Sequence, residues 1–481
     1  MPDAGLDTDP SDGTVHALGD VVGSGRLIVV SNRIPKGGVP AGGLVFALHE
    51  ALQEAGGLWI GAADPTEVAE GGLTNIGRGD YERWTFPLTH DEHRRYYLGY
   101  ANSVLWPLFH HRADLLDIEE GDFDAYARVN ARVAKHIAEI ARPDDLIWIQ
   151  DYHFLMVAHE LRKLGMSNRI GLFLHIPFPN PSDMLALPET GQVSTWIAAH
   201  DLFGLQTKRD VSAVRDVLRA DPSCQVLNDG TFIRDGRVFT VRAYPIGIDA
   251  AAFARAAESI EVPRITIEKR APLLLGVDRL DYSKGLVHRL EAFEHYLRSR
   301  KPDSPRPVLL QIAPTSRGDV TAYQEIREEL ERTAGAINGR HSDLDWTPVR
   351  YVNRHVDRDV IAGLYRRAEV ALVTPLADGM NLVAKEFVAA QDPEDPGVLI
   401  LSHFAGAAEQ MTDALMVNPF DHASFATTID RALHMPIEER RRRHATLRRS
   451  VFEEDIAWWT NSYLDQLSNA PRSYSRFLNA I

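Results

Sequence analysis

Only one cysteine, Cys224, occurs among the 481 residues. That excludes an internal disulfide and any cysteine-rich zinc site. No apolar run reaches the ~18–20 residues that a membrane span needs. The opening segment MPDAGLDTDPSDGTVHALGD lacks a basic stretch followed by an apolar one, so no secretory signal is expected there. Positive charge is scarce as well: 52 Lys and Arg stand against 67 Asp and Glu, a net charge of −15. Such a balance argues against a general nucleic-acid or anionic-membrane surface. The expectation is a cytoplasmic protein with an acidic, disordered lead-in over residues 1–25. The one basic-looking run, EERRRRH at 438–444, follows two glutamates and opens a helical pattern, so it is expected to be a solvated helix face.

Two familiar phosphate fingerprints are also missing. There is no G-x-x-x-x-G-K-[ST], and the glycines of GSGRLIVV precede their strand and lack the third member. A P-loop NTPase and an ordinary nicotinamide dehydrogenase are thereby disfavoured. NDGT at 228–231 has Leu227 where a phosphatase would need its nucleophilic aspartate. No HExxH element is present to hold a metal.

What is present is a chain long enough for two or three domains. Apolar runs alternate with amphipathic helical stretches such as Asp124–Ala141 and His153–Leu164. The first half has strand candidates at 26–32, 58–62, 145–151, 170–178 and 201–207. The second half has them at 272–280, 307–314, 349–353, 370–375, 398–403 and 414–419. Continuous Val, Ile and Leu runs mark strands buried on both faces, as in parallel sheets. Two doubly wound α/β domains are therefore expected, with the boundary between Val241 and Arg270. DPEDPG at 392–397 reads as a turn-rich loop.

Ligands of open parallel sheets bind beyond the carboxyl ends of the strands, and polar clusters follow the strands here. SNRIPKGGVPAGGL brings Arg33 and then Gly42 and Gly43 at the opening of a helix, where a ligand can approach the backbone closely. Asp151 lies in QDYH and His175 in LHIPFP; each alone is ambiguous, and a lone histidine at a strand end is more often structural. GVDRLDYSKG carries Asp278, Arg279, Asp281 and Lys284, and Arg279 and Lys284 could both reach one anion. APTSRG repeats the arrangement with Arg317. In LADGMNLVAKEF a helix is expected from Met380, its free N–H groups facing a diphosphate. Asp378 would then reach sugar hydroxyls and Glu386 those of a ribose, so the ligand expected is a nucleotide sugar.

Together VVSNRI, AGGL, NSVLWPLFH, WIQDYH, HIPFP, RLDYSKG, QIAPTSRGD and DGMNLVAKE, in that order from Arg26 onward, resemble the trehalose-6-phosphate synthases. That family of retaining glycosyltransferases joins glucose from a nucleotide sugar to glucose 6-phosphate. The resemblance implies a GT-B fold: two Rossmann-like doubly wound domains facing across a cleft, with a C-terminal helix crossing back to the first. Its implied bounds are 26–245 for the acceptor-binding domain, 246–455 for the nucleotide-sugar domain and 456–481 for the returning segment. On the donor side it implies Gly42, Gly43, Arg279 and Lys284 at the diphosphate, and Asp151 and His175 around the transferred sugar. It further implies Asp378 and the Gly379, Met380, Asn381, Leu382 and Val383 backbone at glucose and phosphate, and Glu386 at the ribose. The catalytic groups would be Arg279, Lys284, His175 and Asp378. On the acceptor side it implies Arg33, Tyr97, Trp106 and Arg317 at glucose 6-phosphate, although residue pattern alone reads Tyr97 and Trp106 as core aromatics. Neither metal nor cofactor is implied, and a homotetramer is. Rival expectations are a related two-domain transferase with another acceptor and a non-catalytic sugar-phosphate sensor.

Overall fold

The computed structural model describes residues 25–35, 43–68, 71–227, 230–260, 271–301, 304–315 and 321–471. Most of the acidic lead-in, Gly42 and Arg317 therefore lie outside the described residues.

The first half builds one sheet from β1 (Leu27–Val30), β2 (Gly57–Ala62), β3 (Thr74–Arg78), β4 (Glu82–Phe86), β5 (Leu146–Gln150), β6 (Arg169–Phe173), β7 (Leu202–Leu205), β8 (Cys224–Val226), β9 (Thr231–Arg234) and β10 (Arg237–Ala243). Their spatial order is β3-β4-β2-β1-β5-β6-β7-β10-β9-β8. From β4 to β10 neighbours are parallel; only the edges β3 and β9–β8 run antiparallel. The central strands β1 and β5 are buried along their whole length, which is why they read as unbroken apolar runs. The edge strands β3 and β8 have few buried positions, and they escaped the pattern for that reason.

The second sheet is parallel throughout: β11 (Leu273–Val277), β12 (Val308–Ile312), β13 (Val349–Val352), β14 (Val370–Val373), β15 (Val398–Ser402) and β16 (Leu415–Val417), in the order β13-β12-β11-β14-β15-β16. Helices Leu286–Ser299, Thr321–His341, Arg358–Arg367 and Leu382–Ala390 connect its strands, and His422–Leu433 follows the last of them. The EERRRRH run lies on helix Ile437–Glu453, where Arg440, Arg441 and Arg443 pair with Asp395, Glu394 and Glu439. Its last member differs from the expectation: His444 turns inward, 4% exposed, and meets the Val388 carbonyl at 3.0 Å.

The chain passes between the sheets twice, at neighbouring points. After β10 it crosses at Ile246–Ile248 and enters helix Ala250–Ser259, which packs on Arg358–Arg367 and Leu382–Ala390. It returns at Glu454–Asp455, where the Ile456 amide donates to the Ile248 carbonyl at 3.2 Å. A Cβ on Gly247 would stand 2.4 Å from the Glu454 carbonyl oxygen, so only glycine lets the two passages touch. Asp455 caps the returning helix Ile456–Ser468 through the Trp458 amide. Trp459 and Tyr463 of this helix pack on Trp148 of β5 and, edge-on, on Phe173 of β6, with ring centres 4.9–5.6 Å apart. The last helix thus completes the core of the first sheet. No helix among the described residues is long and apolar enough to cross a membrane.

Candidate functional site

The carboxyl ends of both sheets face one another, and the loops that leave them carry most of the expected residues. Beyond β11, Asp281 caps a short 3-10 turn, Tyr282–Lys284, by accepting from the Ser283 amide. That turn points Lys284 inward, where its Nζ donates to Asp378 Oδ2 at 2.5 Å. Asn381 Nδ2 donates to the same carboxylate oxygen at 3.0 Å. Lys284, Asp378 and Asn381 therefore form one knot, and Lys284 is only 9% exposed. Its neighbour Arg279 projects outward and sits over the Trp106 ring at 5.6 Å, joining a loop of the second sheet to a helix of the first. Among the described residues Arg279 makes no ion pair.

Behind this knot stands a second set of charges that takes no part in the surface. Arg289 is fully buried and donates to Asp278 Oδ2 at 2.7 Å, Gln311 Oε1 at 2.7 Å and Thr374 Oγ1 at 2.9 Å. One guanidinium thus ties together the ends of β11, β12 and β14. Burial nevertheless pushes the Asp278 carboxyl upward from its usual range, against the pull of Arg289 and Lys284. Of the four charged groups in GVDRLDYSKG, Asp278 and Asp281 are framework.

The opening of the next helix differs from expectation. It runs from Leu382 to Ala390, and Asn381, at φ 80°, is its left-handed cap. Residues 378–380 are already committed elsewhere: the Gly406 amide donates to the Asp378 carbonyl and the Ala407 amide to the Met380 carbonyl. The segment therefore cannot coil until Leu382. Asn381 Oδ1 is buried and accepts no hydrogen bond among the described residues. Gly379 lies against the other half of the molecule; a Cβ there would stand 2.2 Å from the His175 carbonyl oxygen. Glycine is required at that meeting point.

His175 and Asp151 occupy the facing strand ends. Asp151 holds a left-handed φ of 71°, unusual for a non-glycine, and its Oδ1 accepts the His175 amide at 3.2 Å. The His175 ring is engaged on both sides. Gln206 accepts the Ile246 amide with Oε1, which leaves its Nε2 to face His175 Nδ1 at 3.5 Å; His175 Nε2 meets Gln150 Oε1 at 2.9 Å. The neutral Nε2–H tautomer satisfies both contacts. Burial lowers its pKa to about 3. This imidazole is a fixed neutral donor, and neither nitrogen is available to collect a proton.

The expected acceptor residues divide. Ser31 accepts the Trp59 indole N–H and donates to the Arg33 carbonyl, shaping the loop after β1. Arg33 is exposed and donates to the Tyr97 hydroxyl at 3.3 Å. Tyr97 lies on a π-helix, His93–Leu105, an uncommon geometry that is frequent at functional sites. Its ring is clamped between His93 at 5.0 Å and His153 at 5.7 Å. Arg33, His93 and Tyr97, with Asn32, Asp64 and Pro65, line an open cavity of about 320 Å³. Trp106 is buried, stacked on His110 at 4.1 Å. Gly43 opens helix Gly43–Ala55 as expected.

Four contributors were not identified from the pattern. His110 is buried near Asp281, Lys284 and Asp378, and burial lowers its pKa to about 4. Gln150 and Gln206 fix His175. Lys385, 1% exposed, donates to the Ile246 carbonyl at 2.9 Å, and burial lowers its pKa to about 8. Lys385 was visible in DGMNLVAKE, but its partner lies 139 residues away. Glu386, next to it, stands apart from the knot; burial raises its pKa to about 7 against the pull of Arg358.

The family model described as glycosyltransferase family 20 matches residues 36–469. Among its relatives, trehalose-6-phosphate synthase of Cronobacter sakazakii is 44% identical over 462 residues, 94% of this chain and 97% of its own length. A solved E. coli structure, described as trehalose-6-phosphate bound with UDP-2-fluoro glucose, superposes with a TM-score of 0.89 at 43% identity, covering 93% of this chain and all of that one. An α,α-trehalose-phosphate synthase (UDP-forming) from Burkholderia xenovorans, in complex with glucose-6-phosphate, gives 0.87 at 42%, covering 92% and 100%. Two parallel-rich sheets facing each other, with this likeness, make the architecture GT-B.

Proposed function

The chain belongs to glycosyltransferase family 20, and on that premise we propose that it transfers glucose from UDP-glucose to glucose 6-phosphate, releasing UDP and α,α-trehalose 6-phosphate. The observation that carries this proposal is the pairing of a buried Lys284–Asp378–Asn381 knot with an outward Arg279, at the point where Gly379 meets His175. ADP-glucose and GDP-glucose are the alternative donors, since diphosphate, ribose and glucose contacts are common to all three.

Breaking the bond between the anomeric carbon and the phosphate oxygen leaves positive charge on the sugar and negative charge on the diphosphate. Arg279, Lys284 and the backbone at Gly42 and Gly43 are assigned to that leaving group, by the logic of an oxyanion site. Met380, Leu382 and Val383 offer backbone groups to the same phosphates, and Asn381 offers its unsatisfied Oδ1 to a hydroxyl. Asp378 accepts glucose hydroxyls while Lys284 turns toward the diphosphate. Glu386 accepts from the ribose. Arg33, Tyr97 and Trp106, with Arg317, hold glucose 6-phosphate.

The sugar keeps its anomeric configuration in this proposal. The acceptor hydroxyl attacks the face that the phosphate leaves, and a leaving-phosphate oxygen takes the acceptor's proton. The state of His175 favours this route, because an imidazole with a pKa near 3 and both nitrogens engaged is no general base. His175 and Asp151 then orient the glucose, His175 by its fixed position beside Gly379. Within the same proposal the enzyme works in the cytoplasm and as a homotetramer.

Release of nucleoside diphosphate from UDP-, ADP- and GDP-glucose, with and without glucose 6-phosphate and in the presence of a chelator, tests the reading. Acceptor-dependent release with a phosphorylated α,α-linked disaccharide supports it and ranks the donors. Tight donor binding with no release under any acceptor would favour a sensor.

A further inference from the structure

Away from the cleft, three side chains converge that the proposed reaction does not use. His288 and Glu291 lie one turn apart on helix Leu286–Ser299, and His422 is the first residue of helix His422–Leu433 packed against it. His288 Nδ1 stands 3.0 Å from His422 Nε2, and Glu291 Oε2 stands 3.4 Å from His422 Nε2 and 3.9 Å from His288 Nδ1. A tetrahedral zinc ion with ligand bonds of about 2.0–2.1 Å spaces its ligand atoms about 3.3 Å apart. The three separations scatter about that spacing, and the point equidistant from the three atoms lies in their plane about 2.0 Å from each, so tetrahedral ligation needs Glu291 and His288 to draw together by about 0.5 Å.

We propose that His288, Glu291 and His422 form a site for a borderline divalent transition ion, zinc above all, that clips helix Leu286–Ser299 to helix His422–Leu433. Two imidazoles and one carboxylate are a zinc donor set, whereas magnesium and calcium favour oxygen ligands. Partial burial suits an ion that must enter: the side chains are 30%, 41% and 23% exposed for His288, Glu291 and His422. Phe420 stands edge-on over the His288 ring at 5.1 Å and screens one side. His295, two turns beyond His288, has its ring 6.0 Å from that of His422 and is the candidate for a fourth ligand, with water as the alternative. The Glu329 carboxylate acts on His288 from helix Thr321–His341 and adds to the negative field that favours a cation.

The position gives such an ion a consequence. Helix Leu286–Ser299 begins immediately after Lys284 and Gly285, so one end of it carries the loop assigned to the leaving group. On the far side, Phe420 contacts Phe404, whose carbonyl accepts the Asp378 amide at 3.3 Å. An ion here holds both partners of the Lys284–Asp378 pair from behind, without touching a substrate.

The test strips the full-length protein of metal with a chelator, then titrates ZnCl2 by calorimetry, with bound metal counted by elemental analysis and Co2+ absorption reporting coordination geometry. One zinc per chain is expected, with a tetrahedral cobalt spectrum and a raised melting temperature. His288→Gln and His422→Gln are each expected to lose at least about 100-fold in zinc affinity, and Glu291→Gln at least about tenfold. All three should melt like the wild type in chelator, which separates lost ligation from lost folding. Failure of the wild type to take up zinc stoichiometrically at micromolar concentration would overturn the site. So would zinc binding unchanged in both histidine variants, which would place the ion elsewhere among the 19 histidines.

Discussion

The two sides of the cleft are built in opposite ways. On the second sheet the charges other than Arg279 are paired before any ligand arrives: Lys284 holds Asp378, and behind them Arg289 holds Asp278. On the first sheet Arg33 is exposed, touches one hydroxyl at 3.3 Å, and borders an open cavity of about 320 Å³. The Arg289–Asp278 scaffold behind the site does not have to reorganise as charge develops in a transition state, and Lys284 has only to turn from Asp378 to the diphosphate. The open side leaves its cation to be paired by the incoming phosphate. The contrast teaches which side serves chemistry and which serves capture.

The contrast breaks most severely at Arg289. Arg289→Ala would leave Asp278 buried without its partner, and about 3–5 kcal/mol of stability should be lost. Denaturant unfolding checks it; a midpoint within error of the wild type would mean that the second sheet needs no charge scaffold. Arg279→Ala comes next. A charge-assisted contact of ~1.5–3 kcal/mol should vanish, slowing turnover by about 10–100-fold with both substrates saturating. Steady-state kinetics with unaltered kcat would remove Arg279 from the leaving-group role. Arg33→Ala should raise the KM for glucose 6-phosphate about tenfold and leave the donor KM alone. Equal shifts in both constants would erase the division of labour between the sheets.

The smallest effect concerns pH. Glu386 has its pKa raised by burial to about 7, above the ordinary 4.5. The folded state holds this proton more tightly than the unfolded chain, so its contribution to stability is complete below about 4.5 and is lost as pH rises through about 7. If the carboxylate grips the ribose, the donor KM should fall over the same rise in pH. Glu386→Gln should flatten both profiles; a donor KM that keeps its slope in the variant would assign the titration to another group.

The sequence disclosed some of this better than the rest, for physical reasons. Strands such as β1, β5 and β15 announce themselves because a parallel strand buried on both faces is apolar at every position. The edge strands β3 and β8, half in water, carry no such mark. Likewise Arg279, Lys284 and Asp378 were readable because they directly follow such strands. His110, Gln206 and Arg289 were not, because what they do is set by partners from other parts of the chain. Gln206 reaches Ile246 forty residues on, and Arg289 reaches Thr374 eighty-five residues on. The start of the helix at Leu382 was misjudged by two residues for a related reason. Local propensity favours coiling from Met380, and backbone pairing with residues 406 and 407 forbids it.

The returning helix also sets an order of assembly. Trp148 and Phe173 leave the ribosome long before Trp459 and Tyr463, the rings that cover them. At ~5–20 residues per second, the stretch between β10 and that helix takes on the order of 10–40 s to synthesise. For that interval the first sheet waits with an aromatic face open to solvent, exposed to chaperones and to other nascent chains. The second sheet, made later, has no such wait. Removing residues 456–468 should therefore send the older half of the molecule, rather than the younger, into aggregates.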